Sequence, residues 1–400
     1  MQTDHNLADL DALTERFFSI DTTTYGNSDQ PFIIRYNGNL INNDSENGFN
    51  QIADAFDSYN ITPILKQDGN IQTLHLFPKI TKRAKKYHQL NFLMFLLTLL
   101  SVLFTGGLYS FKGALTGNTI QIIWTMIKSG WPFAISLLAI LSGHEFGHYI
   151  AGKINHVDVT LPFFIPFPFS AFGTMGAFIS MRSLPRNKKV LFDIAISGPL
   201  SGLLISIIVL LIGLNLSEVH TLPLAGESVL GMQMEGNSLL YLLLKYISFG
   251  KLLPNLLTPN GFSLAANWFQ YFFTGVPFPW GAQDVLLHPV AWAGWAGLFV
   301  TAINLLPVGQ LDGGHIFQTV FGRKLTQNVF PIIIGALALL GIFWRGWWGW
   351  VVILLFTGRR YAEPLDQVTQ LDHKRKWLGY LAIFIFLITF IPVPITIING

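Results

Sequence analysis

The sequence predicts a polytopic α-helical membrane protein: about six to eight transmembrane helices, a re-entrant membrane hairpin and a small N-terminal α+β soluble domain. Three observations predict it. Of 400 residues, 51% are hydrophobic and only 12% charged, about half the charged share usual in soluble domains. The apolar residues fall in long uninterrupted blocks, many close to the roughly 20 residues a helix needs to cross a bilayer core. Lys and Arg collect on alternate loops between those blocks.

Residues 1–78 read as the soluble domain. Leu7, Leu10, Leu13 and Phe17 recur at helical spacing, and Phe32 to Tyr36 suits a strand. Phe49, Ile52, Ala53 and Phe56 form the apolar stripe of a second helix. Ile61–Lys66 and Ile71–Phe77 flank Asp68-Gly69-Asn70, a hairpin signal. The segment holds eleven Asp or Glu against Arg16, Arg35 and Lys66, and such an acidic surface is most often a solvated face. Its first thirty residues, with Asp4, Asp9, Asp11 and Glu15, have no signal-peptide core, so targeting falls to the first internal span.

Residues 79–88 are a basic linker, and spans follow at Gln89–Tyr109, Trp131–Ile150, Val190–Gly213, Ala291–Pro307, Val329–Phe343, Trp347–Phe356 and Trp377–Ile397. The sixth is short enough to pair with the fifth as a tight hairpin. Leu161–Met181 is apolar too, but Pro162, Pro166 and Pro168 exclude a regular helix. Nonhelical backbone at membrane depth survives only where protein shields it or it lines a wet cavity, which suits a re-entrant hairpin.

Seventeen cations lie on the loops that share the N-terminal side, including Lys79, Lys82, Arg83, Lys85, Lys86, Arg186, Lys189, Arg323 and Arg375. Five lie opposite: Lys112, Lys128, Lys245, Lys251 and Arg345. The positive-inside rule then places the N-terminal domain in the cytoplasm and the C-terminus across the membrane. The segment Leu214 to Pro289 lies on the far side, where Leu239–Leu253 and Phe262–Phe273 suit interfacial helices. A net charge of +3 gives no reason to expect nucleic acid as a partner.

The chain has no cysteine. Disulfides, thiol nucleophiles and cysteine metal sites are excluded, and any metal must be held by His, Asp or Glu. His144-Glu145-Phe146-Gly147-His148 stands near the cytoplasmic end of the second span. Residues four apart share a helix face, so both imidazoles can reach one ion, with Glu145 placed to take a proton from water. Ionisable groups inside a span are costly and functional by default. Catalytic zinc usually takes three protein ligands. Asp312, in the Asn304-to-His315 segment that closes the fourth span, is the third ligand; a cap for the helix starting near Gly313 is its alternative role. Gly198 and Gly202 allow close helix packing, with Asp193 as an interface anchor. His288 and His315 are spare histidines outside the ligand set.

The HEFGH span, Ser197-Gly198-Pro199-Leu200 and NLLPVGQLDGGH together resemble the site-2 protease family of intramembrane metalloproteases, over roughly residues 125–325. The similarity is to the bacterial and plastid branch without a PDZ domain. It implies a metalloprotease core at 89–325, with further C-terminal spans at 326–400. It implies one Zn2+ on His144, His148 and Asp312, and Glu145 as general base. It also implies Asn304 as an oxyanion donor, for which an interhelical hydrogen bond is the alternative. Leu161–Met181 becomes an edge to which an unwound substrate adds. The implied partners are membrane proteins with a transmembrane segment and the lipid bilayer, in a bacterial inner membrane. A transporter would also hide ionisable groups among spans, but it needs no His, Glu, His and Asp at these spacings.

Overall fold

The computed structural model describes residues 7–27, 30–69, 71–79, 88–110, 117–227, 232–256, 263–359 and 361–398. Asp4, Asn70, most of the basic linker (Lys82, Arg83, Lys85 and Lys86), Lys112 and Arg360 fall outside these residues.

The chain opens with α1 (Leu7–Glu15), β1 (Phe18–Tyr25), β2 (Ile34–Leu40), α2 (Ser45–Asp57), β3 (Ile61–Asp68) and β4 (Ile71–Pro78). The strands form one antiparallel sheet in the order β1-β2-β4-β3. Asp44 starts α2 by accepting from the Glu46 and Asn47 backbone N–H groups, which would otherwise lack partners. Phe49, Ile52 and Phe56 then bury one face of α2 against Ile34, Tyr36, Leu65, Leu74 and Leu76. β1 has no counterpart in the sequence reading. Its Thr22-Thr23-Thr24 run lacks apolar alternation, and main-chain pairing to β2 holds it in place.

The outer edge of β3 is covered. Leu65 donates its N–H to the Leu365 carbonyl at 2.8 Å and accepts from the Gln367 N–H at 2.9 Å. The same short segment also donates to Pro185 and Arg186 carbonyls. Charge pairs reinforce the junction: Glu46 with Lys189 at 2.6 Å, Asp54 with Arg186, and Glu363 with both Lys66 and Arg323. Part of the acidic surface therefore pairs with the loop cations, while Asp54 stays largely exposed.

The helical part begins with α3 (His88–Ser110), α4 (Thr119–Ser129) and α5 (Trp131–Ile154). The short α4 was not expected; a capping box between Asn118 and Gln121 starts it, and it bends by 56° into α5. Then come β5 (Phe163–Pro166), β6 (Thr174–Phe178) and α6 (Lys188–Asn215). By length and composition α3 and α6 can each cross a membrane, and α4 with α5 qualifies as a bent pair. β5 and β6 form an antiparallel hairpin pinned along α3. Asn91 donates to the Leu161 and Pro162 carbonyls, Ser101 to Gly173 and Tyr109 to Ala171. Side chains thus satisfy backbone groups that apolar surroundings would leave unpaired.

Next follow β7 (Glu218–Thr221), β8 (Met232–Glu235), α7 (Leu239–Phe249), α8 (Leu264–Thr274) and β9 (Gln283–Leu286). The chain ends with α9 (Pro289–Asn304), α10 (Asp312–Phe321), α11 (Arg323–Leu340), α12 (Gly346–Thr357), α13 (His373–Thr389) and β10 (Ile395–Ile398). β7 pairs with β9 and β8 with β10, both antiparallel. The last span was read as reaching Ile397. The helix stops at Thr389 instead, because Pro392 and Pro394 cannot continue it, and the chain turns back as β10 onto β8. At the centre, α6 and α9 approach until a methyl group on Gly294 would come within 2.6 Å of the Leu210 backbone, as small residues permit.

Candidate metal centre and active site

α5 carries His144, Glu145 and His148, all buried, in its second half. The helical repeat puts both imidazoles on the side facing α6 and α10. His148 Nδ1 lies 2.7 Å from the Ile194 carbonyl on α6. A carbonyl only accepts, so Nδ1 carries the proton and Nε2 is left with a lone pair. That Nε2 lies 3.1 Å from His144 Nε2, and each is 3.3 Å from Asp312 Oδ2.

Asp312 is the first residue of α10. Leu311 occupies the cap position, and no side-chain cap bond forms there, so the carboxylate faces the imidazoles instead of capping the helix. Two imidazole nitrogens and a carboxylate oxygen with ligand atoms all within 4.8 Å of one another form the one such group among the described residues. The donor set suits a divalent ion of zinc type. The carbonyl behind His148 is the usual orienting partner of a metal-bound imidazole.

α9 brings Asn304 in from a third side, its Nδ2 3.4 Å from His144 Nε2. The cluster opens on a cavity of about 330 Å3 whose wall includes Glu145, Asn304, Asp312 and His315, together with Ala177 and Phe178 of β6 and the following Ile179. Glu145 and Ile179 thus line the same cavity. A buried carboxylate, a three-point ligand set and a strand edge therefore share one wet cleft.

A family model described as peptidase family M50 matches residues 132–342, more than half of the chain. The chain belongs to peptidase family M50. The likeness to site-2 proteases carried by the three motifs holds at the level of family.

This M50 chain is 32% identical over 277 residues to a rice protein named probable zinc metalloprotease EGY1, chloroplastic, covering 68% of the chain and 42% of that relative. It is 30% identical to the Arabidopsis thaliana protein of the same name, over 68% of the chain and 45% of the relative. An Arabidopsis protein named probable zinc metalloprotease EGY2, chloroplastic, is 29% identical over 67% of the chain and 43% of the relative. The chain thus spans less than half the length of these curated relatives. No solved structure matches it.

In this M50 chain the candidate site also brings in residues to which the sequence pointed differently. Gly198 and Gly202 were read as helix-packing positions, yet they face the imidazoles. A methyl group on Gly198 would lie 2.1 Å from His148 Nε2, and one on Gly202 would lie 3.1 Å from His144. Asp193, read as an interface anchor, forms a two-point pair with Arg375 of α13 at 2.7 and 2.6 Å, fixing α6 beside the Ile194 carbonyl. That carbonyl is a main-chain group without a side-chain signature. Of the spare histidines, His315 lines the cavity, while His288 caps α9 by accepting from the Val290 N–H.

Proposed function

We propose that the chain is an intramembrane zinc metalloprotease that hydrolyses peptide bonds of membrane proteins bearing a transmembrane segment. The observation that carries this reading is the convergence of His144, His148 and Asp312 beside Glu145 and a strand edge in one cavity. Membership of family M50 and the relatives named as probable zinc metalloproteases support it.

In this reading His144, His148 and Asp312 hold a single zinc ion. When bound, zinc supplies Lewis-acid activation of a water and of the scissile carbonyl. Glu145 takes the proton from the attacking water and delivers it to the leaving nitrogen. The water oxygen bonds to the carbonyl carbon, the C–N bond breaks, and a carboxylate and an amine leave. The Asn304 side-chain amide donates to the developing oxyanion. A helical substrate hides its peptide bonds, so its scissile stretch unwinds and adds to the β6 edge through main-chain hydrogen bonds.

The proposed chain is multi-pass, with seven main spans and an acidic α+β domain at 1–78 on the side of the cation-rich loops. A bacterial inner membrane with a cytoplasmic N-terminus fits that charge distribution. The test is cleavage of a tagged single-span substrate by purified wild type and Glu145→Gln, with zinc measured on both. Loss of cleavage with zinc retained is expected. Equal cleavage by both proteins, or no metal in either, sinks the reading.

A further inference from the structure

Far from the metal centre, the segment between α6 and α9 buries a second set of ionisable groups. Glu235 on β8, Lys245 on α7 and Asp284 on β9 are 6%, 0% and 3% exposed. Lys245 Nζ lies 3.5 Å from Asp284 Oδ1 and 4.6 Å from the centre of the Tyr241 ring. The second carboxylate, Glu235, accepts from the Tyr241 hydroxyl at 2.8 Å. Two carboxylates and one ammonium are thus buried together, with the ammonium beside Asp284, and the cluster carries a net charge of −1 when both carboxylates are ionised. Removing an uncompensated charge from water is expensive.

The leftover charge borders a space of its own. A cavity of about 20 Å3 is lined by Glu235, Asn237, Tyr271, Val393 and Thr396, among others. That volume accommodates one water-sized particle. Asn237 is 6% exposed, lines this cavity, and its Oδ1 has no hydrogen-bond partner. The Val393 carbonyl presses on Gly236 so closely that a methyl group there would lie 1.9 Å from its oxygen. A carboxylate and an amide oxygen are both hard oxygen donors.

We propose that Glu235 and Asn237 hold one monovalent alkali cation in this cavity, which neutralises the Glu235–Lys245–Asp284 cluster. One carboxylate beside an ammonium provides too little negative charge for a divalent ion, which calls for several carboxylates or retained waters. The occupied site lies where β8 pairs with β10 and so fastens the C-terminal strand. It also braces α9, because Trp295 Nε1 donates to the Gly236 carbonyl at 2.8 Å. Trp295 stands nine residues, roughly 14 Å of helix, from Asn304. Lys245 and Tyr241 from α7, Tyr271 from α8 and Asp284 from β9 face Glu235, and burial and the charge of Asp284 push its carboxyl up. A proton therefore competes with the cation as pH falls.

The experiment is thermal unfolding of the purified full chain at pH 8 in sodium, potassium or N-methylglucamine chloride at equal ionic strength. One alkali ion is expected to raise Tm saturably, by about 3 °C or more over the bulky cation, and by less at pH 6. Glu235→Gln is expected to abolish the dependence. Asn237→Leu is expected to raise the half-saturating concentration about tenfold or more, and this variant serves if Glu235→Gln does not fold. Identical Tm values in all three salts overturn the proposal and leave the cavity to a water or a proton. So does a cation response that survives both substitutions. Neither result depends on what the chain cleaves.

Discussion

Two buried clusters of ionisable groups among the described residues are built in opposite ways. His144, Glu145 and His148 come from five consecutive residues of one helix, and a single carboxylate from α10 completes the group. Glu235, Lys245 and Asp284 come from three elements of the segment between α6 and α9. The first cluster converges on a cavity of about 330 Å3, whereas the second reaches one of about 20 Å3 through Glu235 alone. The difference teaches that buried charge can serve chemistry or cohesion, and that the space left beside it separates the two.

Substitutions can break or sharpen that contrast. The largest effect is expected from Glu145→Gln, which should lower cleavage by about 10²- to 10⁴-fold while Tm and bound zinc hold. A matching fall in Tm would make the first cluster structural as well. Lys245→Ala should do the reverse. Leaving the buried Asp284 carboxylate without its ammonium costs about 3–5 kcal/mol of unfolding free energy, read by denaturant melts, with residual cleavage per folded molecule unchanged. Asn304→Ala should cost about 10²-fold in kcat with KM little altered; a change confined to KM would move Asn304 from the oxyanion to substrate binding. Proline at Phe178 or Ile179 should impair cleavage by removing a main-chain donor from the β6 edge, and unaffected cleavage counts against strand addition. The smallest effect belongs to Glu46→Gln. Its pair with Lys189 is partly exposed, so a stability loss of about 1 kcal/mol or less is expected.

The same contrast explains what the sequence could convey. An i, i+4 pair of histidines within an apolar block is a local pattern, and so is the run that ends in Asp312-Gly313-Gly314-His315. The helices of the core were legible from their apolar blocks. The second cluster has no such signature, because Glu235, Lys245 and Asp284 look like ordinary charges of a loop until the fold closes around them. Gly198 shows a subtler limit. Its spacing from Gly202 announced a close approach, but only the packed structure reveals that the approaching group is an imidazole. β1 was missed because its Thr run carries no apolar alternation, and α4 because its 11 apolar-rich residues are too few to cross a bilayer. The break at Thr389 was written in Pro392 and Pro394, and the surrounding hydrophobicity concealed it.

The covered edge of β3 has a consequence in time. Leu65 meets its partners Leu365 and Gln367 only after some three hundred further residues have been made. At about 5–20 residues per second, that interval is roughly 15–60 s. Throughout it the sheet offers a bare strand to any passing chain. Closure requires that the loop between α12 and α13 emerge beside β3, on the face where Pro185 and Arg186 wait. The pairing of Leu65 is thus a record that the late helices were threaded in the right sense, written in a domain made before them.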